Sequence, residues 1–177
     1  IGVVVMYVGD GLYFMGGALV WGDSVWRIEC EDQTLMIDFV VNQGIDKVIS
    51  LLQEIARSHI HYHQVLEFDM NVRALPQQLS CHYDISLHDY YMLCPKINLL
   101  NAAGEFCEGP EVAKCHSCIK NSGSYTNENL NSEKNIKKFF DENYKFLKAA
   151  RFNIAPTIGV KSLFLSFIDT TNIIVKA

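Results

Sequence analysis

His88 and Asp89 stand where the β-rich run Tyr83-Asp84-Ile85-Ser86-Leu87 ends, shortly ahead of Cys94, Cys107, Cys115 and Cys118. A strand over Tyr83–His88 delivers the pair to the loop at its carboxyl end, where open α/β sheets bind ligands. An imidazole there can donate to a hydroxyl or phosphate, and the neighbouring carboxylate can bind a sugar hydroxyl. Adjacent residues in a strand point to opposite sides, so each group acts separately rather than as a dyad. The plainer reading is an ordinary strand-end histidine followed by a capping aspartate.

The cysteine spacing is Cys94-x12-Cys107-x7-Cys115-x2-Cys118. Four thiolates around Zn²⁺ make a closed tetrahedral structural site, and Cys115-His116-Ser117-Cys118 has the two-residue spacing of a zinc knuckle formed on a tight turn. A long loop with little apolar content cannot offset its ordering entropy by burial, so a structural zinc is a physically sensible clip. Four free or partly buried cysteines, or two disulfides, are the alternatives, and His116 can replace one sulfur. Cys30 and Cys81 lie elsewhere and read as small core residues. A redox role for Cys115 and Cys118 requires a thioredoxin-like helix start, which the flanking residues do not suggest.

A third group is His59, His61 and His63, whose alternation puts three imidazoles on one face of a strand. They either ligate a metal, as in a metal-dependent hydrolase, or form a partly packed rim at a strand end. No carboxylate or cysteine lies near them in sequence to complete a ligand set, which favours the rim.

The elements that must position these groups fall into two textures. Val3–Val8, Tyr13–Trp21, Val25–Glu29 and Leu35–Val40 are rich in β-branched and aromatic residues and are separated by turn signals, which predicts an N-terminal β-meander. Residues 1–22 carry a single charge, Asp10, but no basic leader, and Gly9-Asp10-Gly11 reads as a hairpin turn rather than part of a membrane span. Helical spacing then predicts a helix over 44–57, a strand over Ser58–Tyr62, and a weaker helix interrupted by Pro76. After the strand Tyr83–His88, residues 89–131 read as a long irregular Cys-rich insertion. A helix over 133–149 with Ser132 as N-cap, a strand over Arg151–Ala155, a helix over 158–168 and a strand over Asn172–Val175 complete the chain. Alternating strands and helices predict an α/β fold: a Rossmann-like parallel sheet with flanking helices.

Composition narrows the function. The chain has 177 residues, 49% of them hydrophobic, and a net charge of −5, which argues against nucleic acid or anionic membrane as a general partner. Lys134, Lys137, Lys138, Lys145, Lys148 and Arg151 gather locally as a solvated helix face. Clustered cysteines in a chain of this length indicate metal more than a disulfide framework, and with it a cytoplasmic location.

The run His-Asp-Tyr-Tyr-x-x-Cys-Pro-Lys-Ile-Asn-Leu-Leu-x-x-x-Gly-x-Phe-Cys-x-Gly-Pro, ending in Cys-x-x-Cys, resembles a segment of bacterial glycosyltransferases of the GT-B type, family 4-like. Those enzymes build lipopolysaccharide, capsule and other cell-surface polysaccharides. Ser58-His59-Ile60-His61-Tyr62-His63 resembles their strand with a His-x-His element, and Ala149–Thr157 resembles their strand followed by an Ala-Pro-Ser helix start, with Thr157 in place of Ser. The resemblance covers about residues 43–176. It implies the acceptor-side N-terminal domain of a two-domain transferase, truncated here and inactive alone. A C-terminal domain would bind the nucleotide-sugar donor, and the full-length protein would associate peripherally with the membrane. It also implies that His88 lies near the reacting sugar as the catalytic residue. Asp89, Tyr90, His61 and His63 would bind a glycan or lipid-linked acceptor, with His61 and His63 at a rim shared with His88. Retaining transfer in that family uses no catalytic metal, so zinc on Cys94, Cys107, Cys115 and Cys118 would be structural. The other reading is a non-enzymatic, zinc-stabilised binding module that uses the aromatic residues of 7–26.

Overall fold

The computed structural model describes residues 3–8, 11–20, 23–30, 36–40, 46, 49–50, 53, 57–64, 70–126 and 129–176. The chain forms two compact units, Ile1–Ser86 and Leu87–Ala177.

In the first unit, β1 (Val3–Val8), β2 (Gly11–Val20), β3 (Asp23–Cys30) and β4 (Met36–Val40) form the expected antiparallel meander. Val8 pairs with Gly11 in antiparallel register, so the apolar opening stretch is a pair of strands. Strand β5 (Arg57–Gln64) pairs antiparallel with β1 and parallel with β6 (His82–Ser86), giving the order β4-β3-β2-β1-β5-β6 within this unit. Of the helix expected over 44–57, Asp46, Ile49, Ser50 and Gln53 are helical, and Arg57 already belongs to β5. The other positions, 44–45, 47–48, 51–52 and 54–56, lie outside the described residues.

The crossover between the parallel strands carries two short helices, α1 (Met70–Arg73) and α2 (Leu75–Gln78). Pro76 sits in the first turn of α2, where its missing N–H has no intrahelical partner to lose, so it restarts the helix rather than kinking it. Tyr62 is fully buried, and its hydroxyl donates to the Val72 carbonyl at 2.7 Å, which ties β5 to α1. The Tyr62 and Tyr83 rings meet edge to face at 5.7 Å.

The second unit pairs β7 (Phe152–Ala155) in parallel with β8 (Ile173–Val175). Its helices are α3 (Val112–Ser122), α4 (Glu133–Ala149) and α5 (Ile158–Leu165). Ser132 caps α4 as expected, and Thr157 caps α5: each side-chain oxygen accepts an N–H from the first turn, at Asn135 and Val160. Helix α4 buries Ile136, Phe139, Phe140, Phe146 and Leu147, each contributing about 1.5–3 kcal/mol of transfer free energy. The Tyr91 and Phe139 rings meet edge to face at 5.5 Å.

The carboxyl end of α4 is tied down by side-chain amides. Asn153 donates to the Leu147 carbonyl, and Asn172 donates to those of Leu147 and Ala150, so helix-end acceptors find partners inside the protein. The lysines of α4 are exposed, and Lys137–Asp141 and Lys138–Glu142 pair one turn apart, as a solvated face should.

One expectation needs correction. The excursion over 89–131 is not wholly irregular, because Val112–Ser122 is helical. It ends at Gly123, whose φ of 73° with ψ of 178° is a backbone conformation open essentially only to glycine. The fold is α/β, with parallel strand pairs, flanking helices and an N-terminal meander. No helix among the described residues is long and apolar enough to cross a membrane.

Candidate functional site

The histidines of β5 occupy one face with residues of β6. The parallel register sets His59 opposite His82 and His61 opposite Asp84. His59 Nε2 lies 2.9 Å from Asp84 Oδ2, with side chains 14% and 8% exposed. His61 Nε2 lies 2.8 Å from Ser86 Oγ, and the His61 and His63 rings stack at 4.3 Å. The carboxylate that pairs with His59 therefore comes from the neighbouring strand. These imidazoles face protein partners rather than open space. His61 and His63 belong to the first unit, whereas His88 belongs to the second.

In the second unit, the chain leaving β6 is pinned at Leu87, whose N–H donates to the Ile154 carbonyl of β7 at 2.9 Å. His88 follows and is exposed. Asp89 Oδ1 accepts the Tyr91 N–H at 2.8 Å, closing an Asx turn that stiffens the segment. The Tyr90 ring stacks 6.3 Å from Phe164 of α5. His88, Asp89 and Tyr90 are thus held beside the end of β7 and the helix that follows it. The aspartate's turn-forming role is one that Asp fills in many loops.

The four cysteines come together. Cys94, Cys107, Cys115 and Cys118 all line one cavity of about 840 Å³, along with Lys96 and Phe167. Cys94 is 7% exposed and terminates a tight turn in which its N–H donates to the Tyr90 carbonyl. Between Cys94 and Cys107 the chain folds back on itself. Asn101 Oδ1 accepts the N–H groups of Ala103 and Glu105, Leu100 bridges to Phe106, and the Cys107 N–H donates to the Leu99 carbonyl. Ile97 and Leu99 take φ of 58° and 55°, a left-handed conformation that costs an L-residue about 1–2 kcal/mol.

Cys115 and Cys118 sit on α3 rather than on the expected tight turn. The reason is that their spacing of three also places two side chains on one helix face. The helix begins at Val112, so Cys115 stands inside it rather than at its start. Burial also pushes the Cys115 thiol up to about 11, and the nearby Cys94, Cys107 and Cys118 push the same way. Cys94 is also raised by burial. A redox nucleophile needs the opposite, a depressed pKa.

None of these four cysteines is disulfide-bonded. Among the described residues, no three or more His, Cys, Asp or Glu side chains are already grouped as a ligand set. His116, the possible substitute ligand, does not line the cavity and has its Nε2 3.3 Å from the Asn131 carbonyl. Cys81 is half-buried, and the Cys30 side chain lies outside the described residues.

Lys96 was not singled out by sequence reasoning. It is 9% exposed, and its ammonium donates to the Ser122 hydroxyl at 3.0 Å and the Asn101 carbonyl at 3.4 Å, both neutral acceptors. The cavity is also shaped by Gly109, where φ is 138° and a Cβ would stand 2.0 Å from the Phe167 ring. Compared with known proteins, the chain matches no family model, no curated protein and no solved structure.

Proposed function

We propose that this chain is the acceptor-side, Rossmann-like domain of a cytoplasmic, GT-B-type glycosyltransferase of cell-surface polysaccharide synthesis, with His88 facing the reacting sugar. The observation that supports this most is the Leu87–Ile154 hydrogen bond. It sets His88, Asp89 and Tyr90 beside the carboxyl end of β7 and the Thr157-capped start of α5. Strand ends of α/β folds are where such ligands bind. His88 then serves as a hydrogen-bond partner of a sugar hydroxyl or phosphate, and Tyr90 offers an amphipathic ring wall. The nucleotide-sugar donor belongs to a second domain in this reading, so binding of the acceptor is the property to test.

Oligosaccharides released from bacterial lipopolysaccharide cores, titrated into the protein and followed by NMR, should shift the resonances of residues 87–91. His88→Ala should weaken that binding at least tenfold. Saturating oligosaccharide with no shift in that segment would refute the assignment. The cysteine-lined cavity favours a second reading, a non-enzymatic module whose loop is held by metal. That version expects chelation to loosen residues 94–122 while no oligosaccharide binds.

A further inference from the structure

We propose that Cys94, Cys107, Cys115 and Cys118 bind one Zn²⁺ as a tetrathiolate, and that Lys96 is the buried counter-charge of that centre. The inference is independent of the sugar-binding assignment. Cys115 and Cys118 are spaced to chelate from one face of α3, as neighbours three residues apart on a helix can. Cys94 and Cys107 bracket a small folded loop whose turns are closed by Asn98 and Asn101 side chains and whose far edge, including Phe106 at 58% exposure, has little burial to hold it. All four face one void. Four sulfurs by themselves match a closed structural zinc site rather than a catalytic one, and of the two carboxylates that also line the void, Glu108 and Glu111, the second is paired with Lys114.

Lys96 supplies the second observation. A buried ammonium is expensive unless an anion compensates it, yet among the described residues this one bonds only a hydroxyl and a carbonyl. When the four thiols lose their protons to solvent and bind Zn²⁺, the product carries a net charge of −2 on the cavity wall that Lys96 also lines. The cavity is larger than one ion requires, and the sulfurs are not yet a closed set. Binding therefore draws the loop bearing Cys107 towards α3, and metal uptake and loop closure become one event.

Zinc-loaded protein should contain one ion per chain, and X-ray absorption should fit four sulfurs at about 2.3 Å. Substitution by Co²⁺ should give the thiolate charge-transfer and visible bands of a tetrahedral sulfur site. Amide exchange over residues 99–107 should slow on metal addition and recover on chelation. Lys96→Met should keep the four-sulfur coordination while weakening zinc affinity at least tenfold. A chain that takes up no metal, a first shell containing nitrogen or oxygen, or an unchanged affinity in Lys96→Met would each overturn the corresponding part of the assignment. Because the wild-type spectra need no cysteine variant, misfolding of a Cys94/Cys107/Cys115/Cys118→Ser variant would not obscure the result. If that variant folds, it must lose the metal.

Discussion

The histidine face of β5 and β6 and the cysteine-lined cavity of the second unit both concentrate ligand-type side chains, yet they are built in opposite ways. On the strands, His59 meets Asp84 and His61 meets Ser86, and the rings of His61 and His63 stack on each other. In the cavity the four thiols are carried by loop and helix, and they line open volume. A parallel ladder fixes its side chains against one another at short range, so donors and acceptors find partners within the sheet. Loops joined by a few turn hydrogen bonds leave room between their side chains. The contrast suggests that a ligand-rich sequence becomes a ligand site where the surrounding protein does not already satisfy its polar groups.

The largest effect should come from the histidine face. Asp84→Ala removes the carboxylate from a pair with little solvent access and should cost about 3 kcal/mol in urea denaturation. Cys107→Ser, measured on metal-stripped protein, should cost about 0.5 kcal/mol or less, since the thiol faces a void. Equal costs would erase the distinction between the two regions.

Next is the turn leading into the cavity. Ile97 has a φ of 58°, so glycine at this position should be more stable than alanine by about 1 kcal/mol, the reverse of their usual order. Comparing thermal melting of Ile97→Gly and Ile97→Ala tests this, and alanine proving the more stable would remove the strain from the account.

The smallest effect concerns alkaline pH. Burial raises the Tyr62 and Tyr83 hydroxyls above their ordinary 10.0, so both stay protonated in the folded chain where the unfolded chain has begun to ionise. Their contribution to stability is therefore complete below pH 10 and declines as pH rises beyond it. Ultraviolet titration should show these two tyrosines ionising above the exposed ones, and Tyr62→Phe should flatten the alkaline decline.

Much of this arrangement was legible from residue patterns. The meander follows from β-branched and aromatic runs broken by turn signals, and Ser132 was readable as a cap because its hydroxyl precedes apolar helical periodicity. Three features were not. The Asp84 partner of His59 depends on the register between two strands separated by a helical crossover, which no local window contains. No residue of helix α3 is fully buried, and Glu111 at its start makes no side-chain cap, so neither a strongly apolar face nor a cap announced it. Its clearest sequence signal is the stop, Gly123, which is readable only once a helix is suspected. Lys96 escaped notice because a lone lysine in a polar loop reads as solvated, and only burial shows otherwise.

Gly109 has a consequence for reading other sequences. The Phe167 ring occupies the space where any other residue at that position would put its first side-chain carbon. A natural variant with alanine or anything larger at 109 has to turn the ring aside and give the void a different outline. Together with the four cysteines and a downstream aromatic residue, that one glycine is a searchable fingerprint for this void in chains whose shape is unknown.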